Sequence, residues 1–164
     1  MPNWCEGTFR ARGTKENIKK FLVEGLEPIS RFNVTEEIKR EIEDYDNSFD
    51  VTYTHENQEV DSLYIPYSKR NFVELGYGMI SAYKIRNSDD FIFAKKFKGA
   101  WSIDFDAIKK IATEYKIDIR VNGYECGMEF EQLYEVDREG TIKCDSFIQY
   151  SNYIWECPMP LLGG

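Results

Sequence analysis

Hydrophobic periodicity constrains this chain more than any other feature. Strong helical spacing occurs near each end, and most of the remaining apolar residues recur every second position, the spacing of half-buried strands. Ile18, Phe21 and Leu22 share one face of a helix expected over Lys15 to Glu24, with Thr14 as its N-cap, Gly25 beyond its end and Pro28 blocking continuation. Phe105, Ile108, Ile111, Ala112 and Tyr115 define a helix that starts after Ser102 or Asp104 and runs to Tyr115. A narrower stripe, Ile38, Ile42 and Tyr45, predicts a third, acidic helix from Glu36 to about Tyr45, capped by Thr35.

Alternation predicts strands at 6–12, 49–54, 62–67, within 72–83, at 91–97 and at 117–121. A hairpin over 128–136 and 141–150 is expected to turn at Asp137-Arg138-Glu139-Gly140. The fold class that follows is α+β: a mostly antiparallel sheet with helices on one face, built on a ferredoxin-like split βαβ core with an inserted acidic helix and strands. At 164 residues the chain reads as a single domain, with its core at about 1–28 and 91–150, an insertion at about 29–90 and an apolar tail at 151–164. Such a tail folds back onto its domain, or offers its Trp, Tyr and Leu residues as interface anchors.

No apolar run approaches the roughly 18–20 residues that a membrane helix needs, and the opening residues carry no secretory pattern. The expected location is therefore the cytoplasm. Cys5, Cys126, Cys144 and Cys157 stand alone, with no C-x-x-C pair, as reduced thiols do in that compartment. A zinc site built from these four cysteines would have to converge across spacings of 121, 18 and 13 residues, because no tight turn supplies two ligands together.

The net charge is −8, the wrong sign for a general nucleic-acid binder. Residues 33–61 hold ten acids against Lys39 and Arg40, so this stretch accounts for the whole net charge. Glu36, Glu37, Glu41, Glu43, Asp44, Asp46 and Asp50 form its dense part and are the candidate partner-binding residues. An acidic face of this kind either keeps a protein soluble or steers it toward a basic surface. Phe49, Tyr53, Tyr64 and Tyr67 are the aromatic residues expected to add contact area.

His55 is the only histidine, so any imidazole-based catalysis must centre on it. Asp50, Glu56, Glu59 and Asp61 lie close in sequence and define a metal-dependent enzyme as one alternative, although a surface histidine at a strand end is the simpler expectation. Lys84, Arg86, Lys95, Lys96 and Lys98 interleave with Tyr83, Phe91, Phe93 and Phe97. That pattern defines a second alternative, single-strand nucleic-acid binding by stacking and phosphate contact, while alternating strand faces explain it equally simply. G-x-S-x-G, H-E-x-x-H, the P-loop and G-x-G-x-x-G are all absent.

Two stretches carry a family resemblance. Met1-Pro2-Asn3-Trp4-Cys5-Glu6, followed by a strand, Gly13 and a helix containing Phe21, resembles the opening of the YubB-like ferredoxin-fold proteins of phages, prophages and plasmids. Phe91-x-Phe93, Ala100-Trp101, the helix over 104–115 and Tyr124-Glu125-Cys126-Gly127-Met128-Glu129-Phe130 are similar to that family's C-terminal unit. The resemblance implies a ferredoxin-like fold and a mobile-element origin, and brings no catalytic residues. The resulting expectation is a non-enzymatic protein that binds and inhibits a bacterial host factor. A nucleic-acid-handling defence effector with a basic surface, such as a CRISPR effector, is the leading partner class, with no direct nucleic-acid or membrane contact.

Overall fold

The computed structural model describes residues 2–29, 38–55 and 58–164. The chain is α+β and mostly sheet, and every strand pairing among the described residues is antiparallel. In order the elements are β1 (Trp4–Thr14), α1 (Lys15–Glu24), β2 (Glu27–Ile29), β3 (Lys39–Asp44), β4 (Ser48–His55) and β5 (Gln58–Glu59). They continue with β6 (Ser62–Tyr64), β7 (Asn71–Glu74), β8 (Met79–Lys84), β9 (Asp90–Ala100) and α2 (Phe105–Tyr115). The last are β10 (Asp118–Glu125), β11 (Phe130–Val136), β12 (Ile142–Gln149) and the short α3 (Tyr153–Glu156).

β1 lies at the centre, with β9 on one edge and β10 on the other. Both run antiparallel to β1, so β9 and β10 are parallel to each other and α2 joins them across it. β11 and β12 extend the sheet beyond β10 as the expected hairpin, closed where Gly140 N–H donates to the Asp137 carbonyl at 2.9 Å.

The other edge of β9 is forked. Its start pairs with β8 through Phe91 and Ile92, and its end pairs with β7 through Lys96 to Gly99. One wing continues from β7 through β6 to β2; the other continues from β8 to β4, which carries β3 and β5.

Alternation along β1 sorts the residues by layer. Cys5, Phe9 and Ala11 face inward and are fully buried, while Trp4, Glu6, Thr8, Arg10 and Arg12 face the opposite side. Both long helices cover the inward face. Phe9, Phe21 and Phe93 form a stacked triangle with centroids 6.0 to 6.3 Å apart, and Tyr115 of α2 tilts against Phe21 at 5.5 Å. Each helix is capped as its sequence demands: the Thr14 side chain accepts from Asn17 N–H, and Asp104 accepts from Ala107 N–H. Asp104, rather than Ser102, is the cap of α2.

The tail does fold back. Tyr153 and Cys157 are buried against Tyr124, and Gly164 exchanges backbone hydrogen bonds with Trp4. Gly163 sits at φ +82°, and a Cβ there would fall 2.3 Å from the Tyr124 carbonyl, so only glycine fits. Trp155 and Leu161 nevertheless point outward, at 86% and 94% exposure. None of the described helices is long and apolar enough to cross a membrane.

Candidate functional site

The acidic segment is the main correction to the sequence reading. Glu36 and Glu37 lie outside the described residues, but residues 39–44, expected as helix, form β3. Arg40, Ile42 and Asp44 alternate with Lys39, Glu41 and Glu43, so the segment satisfies a two-residue period as well as a helical one. The decision comes from outside the segment. Tyr45 N–H donates to the Ser48 carbonyl at 2.9 Å, closing a hairpin that sets Ile42 opposite Val51 and lays β3 along β4. Tertiary pairing overrides a weak helical stripe that has little apolar surface to bury.

As a strand, the segment divides its charges. Asp44 takes the helix side, beside Phe49, where Lys15 and Lys19 of α1 bind its two carboxylate oxygens. Those hydrogen bonds, from Lys19 and then Lys15, hold the Asp44 carboxyl below the usual carboxylate range. Glu41 and Glu43 take the other face with Asp50 of β4, which lies opposite Glu43 in register. Asp46 is exposed in the hairpin turn. Five of the seven expected acids are therefore described, and three of them, Glu41, Glu43 and Asp50, share one outward face.

The aromatic expectation needs revision as well. Phe49 and Tyr53 are fully buried, with the Tyr53 hydroxyl donating to the Leu22 carbonyl at 2.7 Å, so neither can touch a partner. Tyr64 is half-buried beside Phe72, and Tyr67 is exposed but interacts with Lys110 and Glu114 at α2. The aromatics next to the acids are Tyr45, whose hydroxyl donates to Glu43 at 2.8 Å, and Tyr83 of β8, which lies opposite Ser48; they are 50% and 59% exposed. Sequence reasoning assigned Tyr45 to the stripe of the expected acidic helix and Tyr83 to the basic stretch, and the β4–β8 register is what brings Tyr83 alongside the acids.

The cysteines do not assemble a zinc site. All four are free thiols, and among the described residues no three His, Cys, Asp or Glu side chains are grouped to hold a metal ion. Cys144 on β12 pairs with Glu135 near one end of the last hairpin, whereas Cys126 lies at the opposite end, beside the Tyr153–Cys157 cluster. Cys5 belongs to the main core, where burial, helped by the Glu125 and Glu6 carboxylates, pushes its thiol up to about 12. A thiol so reluctant to ionise is a poor ligand and a poor nucleophile.

His55 ends β4 as expected, but it is buried (5% exposed), not on the surface. Among the described residues its Nε2 has no hydrogen-bond partner. Asp50 lies on the outward face of β4, away from the imidazole, and Glu56 lies outside the described residues. Among the described residues no base, nucleophile and orienting group are brought within reach of one another around His55.

The basic stretch separates by face. Phe91, Phe93 and Phe97 are core residues, unavailable for stacking on bases, while Lys96 and Lys98 point to the helix-free side. Lys98 sits between Glu6, at 3.1 Å, and the ring of Trp4. Lys95 faces inward, opposite Phe9, and its Nζ donates to the Leu75 carbonyl at 2.7 Å. Lys95 thus occupies a position that alternation reserves for an apolar residue, against the expectation that the lysines of this strand face outward.

Two polar clusters also escaped the sequence reading. Arg138 reaches Asp118 at 3.0 Å and Asp90 at 2.7 Å, tying the last hairpin to the starts of β10 and β9, while Arg12 binds Asp118 from β1 at 2.9 Å. Glu125, fully buried, closes the β10–β11 turn by accepting Gly127 N–H at 2.7 Å and Met128 N–H at 2.6 Å. No family model, curated protein or solved structure matches the chain.

Proposed function

We propose that this is a non-enzymatic, cytoplasmic protein-binding module that engages a basic surface through the outward face of β3, β4 and β8. The observation that carries this reading is the division of the acidic segment. One acid is neutralised by α1, while Glu41, Glu43 and Asp50 remain together on a single face flanked by two exposed tyrosines. Like charges held on one surface gain nothing for the fold, and a cationic partner relieves them. Tyrosines beside them supply contact area at small entropic cost. β3 adds a backbone edge, because among the described residues it pairs with β4 alone, and such edges accept an added strand.

The resemblance of the opening segment to mobile-element proteins makes a host nucleic-acid-handling defence effector the preferred partner, which the protein would inhibit by occupying its nucleic-acid groove. The order β10-β1-β9, with α2 bridging two parallel strands around an antiparallel one, supports reading this half as a split βαβ of ferredoxin type. β2 then reads as the displaced fourth strand, parallel to β1 but with three strands between them. Direct nucleic-acid binding by strand 91–98 is disfavoured because its phenylalanines are core residues.

The test is inhibition of purified RNA-guided nucleases, assayed as target-DNA binding and cleavage with and without the protein. Changing Glu41, Glu43 and Asp50 together to lysine is expected to slow association with a susceptible effector tenfold or more at low salt. Each exposed change shifts stability by under about 0.5 kcal/mol. An inhibitory parent whose triple variant inhibits equally well would refute the assignment of this face.

A further inference from the structure

The fork in the sheet creates a cleft that the partner-binding reading does not use. On the forked edge of β9, residues 93–95 lie between the portions paired with β8 and with β7 and have no strand partner there among the described residues. The opening has a volume of about 510 Å³, within the range of small-molecule sites, and is lined by Thr8, Glu74, Gly76, Tyr77, Lys95 and Lys96.

Three observations at this cleft converge. Lys95 has one N–H engaged by the Leu75 carbonyl, so an ammonium there keeps two donors for anything that enters. Burial pulls this amine below the usual lysine range. Lys96, between Thr8 of β1 and Glu74 of β7 in register, forms no ion pair among the described residues and supplies a positive charge at the mouth.

The rim is strained. Gly76, Tyr77 and Gly78 are consecutive left-handed residues, at φ +55°, +58° and +63°, and Tyr77 is a non-glycine residue held in that region. Such a conformation costs about 1–3 kcal/mol and persists where the surroundings impose it. Here they do: Leu75 N–H donates to the Asp61 carbonyl and the Gly78 carbonyl accepts from Tyr53 N–H, both at 2.8 Å. The pinned turn leaves the Tyr77 side chain 89% exposed, with a glycine on each side. An exposed aromatic ring held on a pinned turn at the rim of the cleft gives an occupant a surface to stack against.

We infer that this cleft binds a small planar organic anion, a carboxylate or phosphate ester on an aromatic ring. The anionic group meets Lys96 at the mouth, the ring lies against Tyr77, and the Lys95 amine lines the cleft. Stacking against Tyr77 and charge at Lys96 are separable contributions, which lets one reagent test both. Pyridoxal 5′-phosphate carries a planar ring, a phosphate and an aldehyde. The Lys95 amine adds to the aldehyde carbon, water leaves to give the imine, and borohydride then delivers hydride to fix it as a stable secondary amine.

Peptide mapping after borohydride trapping at pH 7.5 is expected to find Lys95 half-labelled at a reagent concentration at least tenfold below that needed for the other lysines. Pyridoxine 5′-phosphate, which lacks the aldehyde, should protect Lys95 selectively. Tyr77→Ala should slow its labelling threefold or more; the side chain is exposed, so folding is unaffected. Labelling spread among lysines according to exposure would overturn the site. Equal labelling by pyridoxal without the phosphate would overturn the anion assignment and leave only a reactive amine. Neither result bears on the β3–β4 face.

Discussion

The Arg138 knot offers the sharpest test of the energetics. Replacing Arg138 with methionine keeps the apolar stem but removes the guanidinium that joins Asp118 and Asp90. Burial alone works to raise the Asp118 pKa, but hydrogen bonds from Arg138 and Arg12 outweigh it and hold the carboxyl at about 2. Against an ordinary value near 3.9, that depression converts to about 2.5 kcal/mol. The side chains of Arg138 and Asp118 are 27% and 15% exposed, and Arg12 remains bonded in the variant. Solvent screening and the surviving partner reduce the expected loss to about 1–1.5 kcal/mol.

For a chain of this size that loss lowers Tm by about 2–6 °C. The sign with pH is fixed. A carboxyl whose folded pKa is depressed stabilises the fold above its unfolded pKa and loses that contribution as pH falls through the folded value. The parent and Arg138→Met should therefore differ fully at pH 7, progressively less between about pH 4 and 2, and by under about 0.5 kcal/mol below pH 2. Urea melts at pH 7, 4 and 2 measure this directly. An equal loss at pH 2 and 7 would show that Arg138 acts by packing rather than charge, and no loss at pH 7 would show the knot to be fully screened.

Three further outcomes are expected. Iodoacetamide at pH 8 should alkylate the half-buried Cys126 and Cys144 while Cys5 stays unreacted until the chain is denatured, when mass spectrometry should count four labels. His55→Leu should raise stability by about 1 kcal/mol in a denaturant titration, because the buried nitrogen it removes has no hydrogen-bond partner among the described residues, and a fall would mean that the imidazole is bonded after all. Gly163→Ala places a methyl group 2.3 Å from the Tyr124 carbonyl, so chymotrypsin should remove the end of the tail at least tenfold faster while the core melts within a few degrees of the parent.

The sequence revealed those parts of the fold whose periodicity had one interpretation. Phe21 and Ile111 each sit in a stripe too regular and too well capped to be anything but helix, and both helices form where expected. Residues 38–45 fit two periods at once, and only the β4 pairing, invisible locally, selects the strand. The same loss of long-range information explains the site. Acidity along the segment was readable, but which acids remain available depends on Lys15 and Lys19 arriving from α1. Phe49 and Tyr53 looked like contact residues because alternation indicates two faces without saying which is covered. Lys95 contradicts its strand's pattern, a conflict of the kind that marks a functional or strained position.

The central position of β1 has a consequence for synthesis. β1 finds both of its neighbours far downstream: β9 begins at residue 90 and β10 ends at residue 125. A ribosome adding about 5–20 residues per second delivers β10 some 6–20 s after β1 is complete. Until β9 is made, Phe9 and Ala11, destined for the deepest part of the molecule, have no sheet to join and β1 presents two unsatisfied edges; the edge that takes β10 stays open longer still. The nascent chain must be kept from pairing with its neighbours for longer than a helical protein of the same length would need, so its yield during expression should depend more on chaperone capacity and translation rate than on final stability.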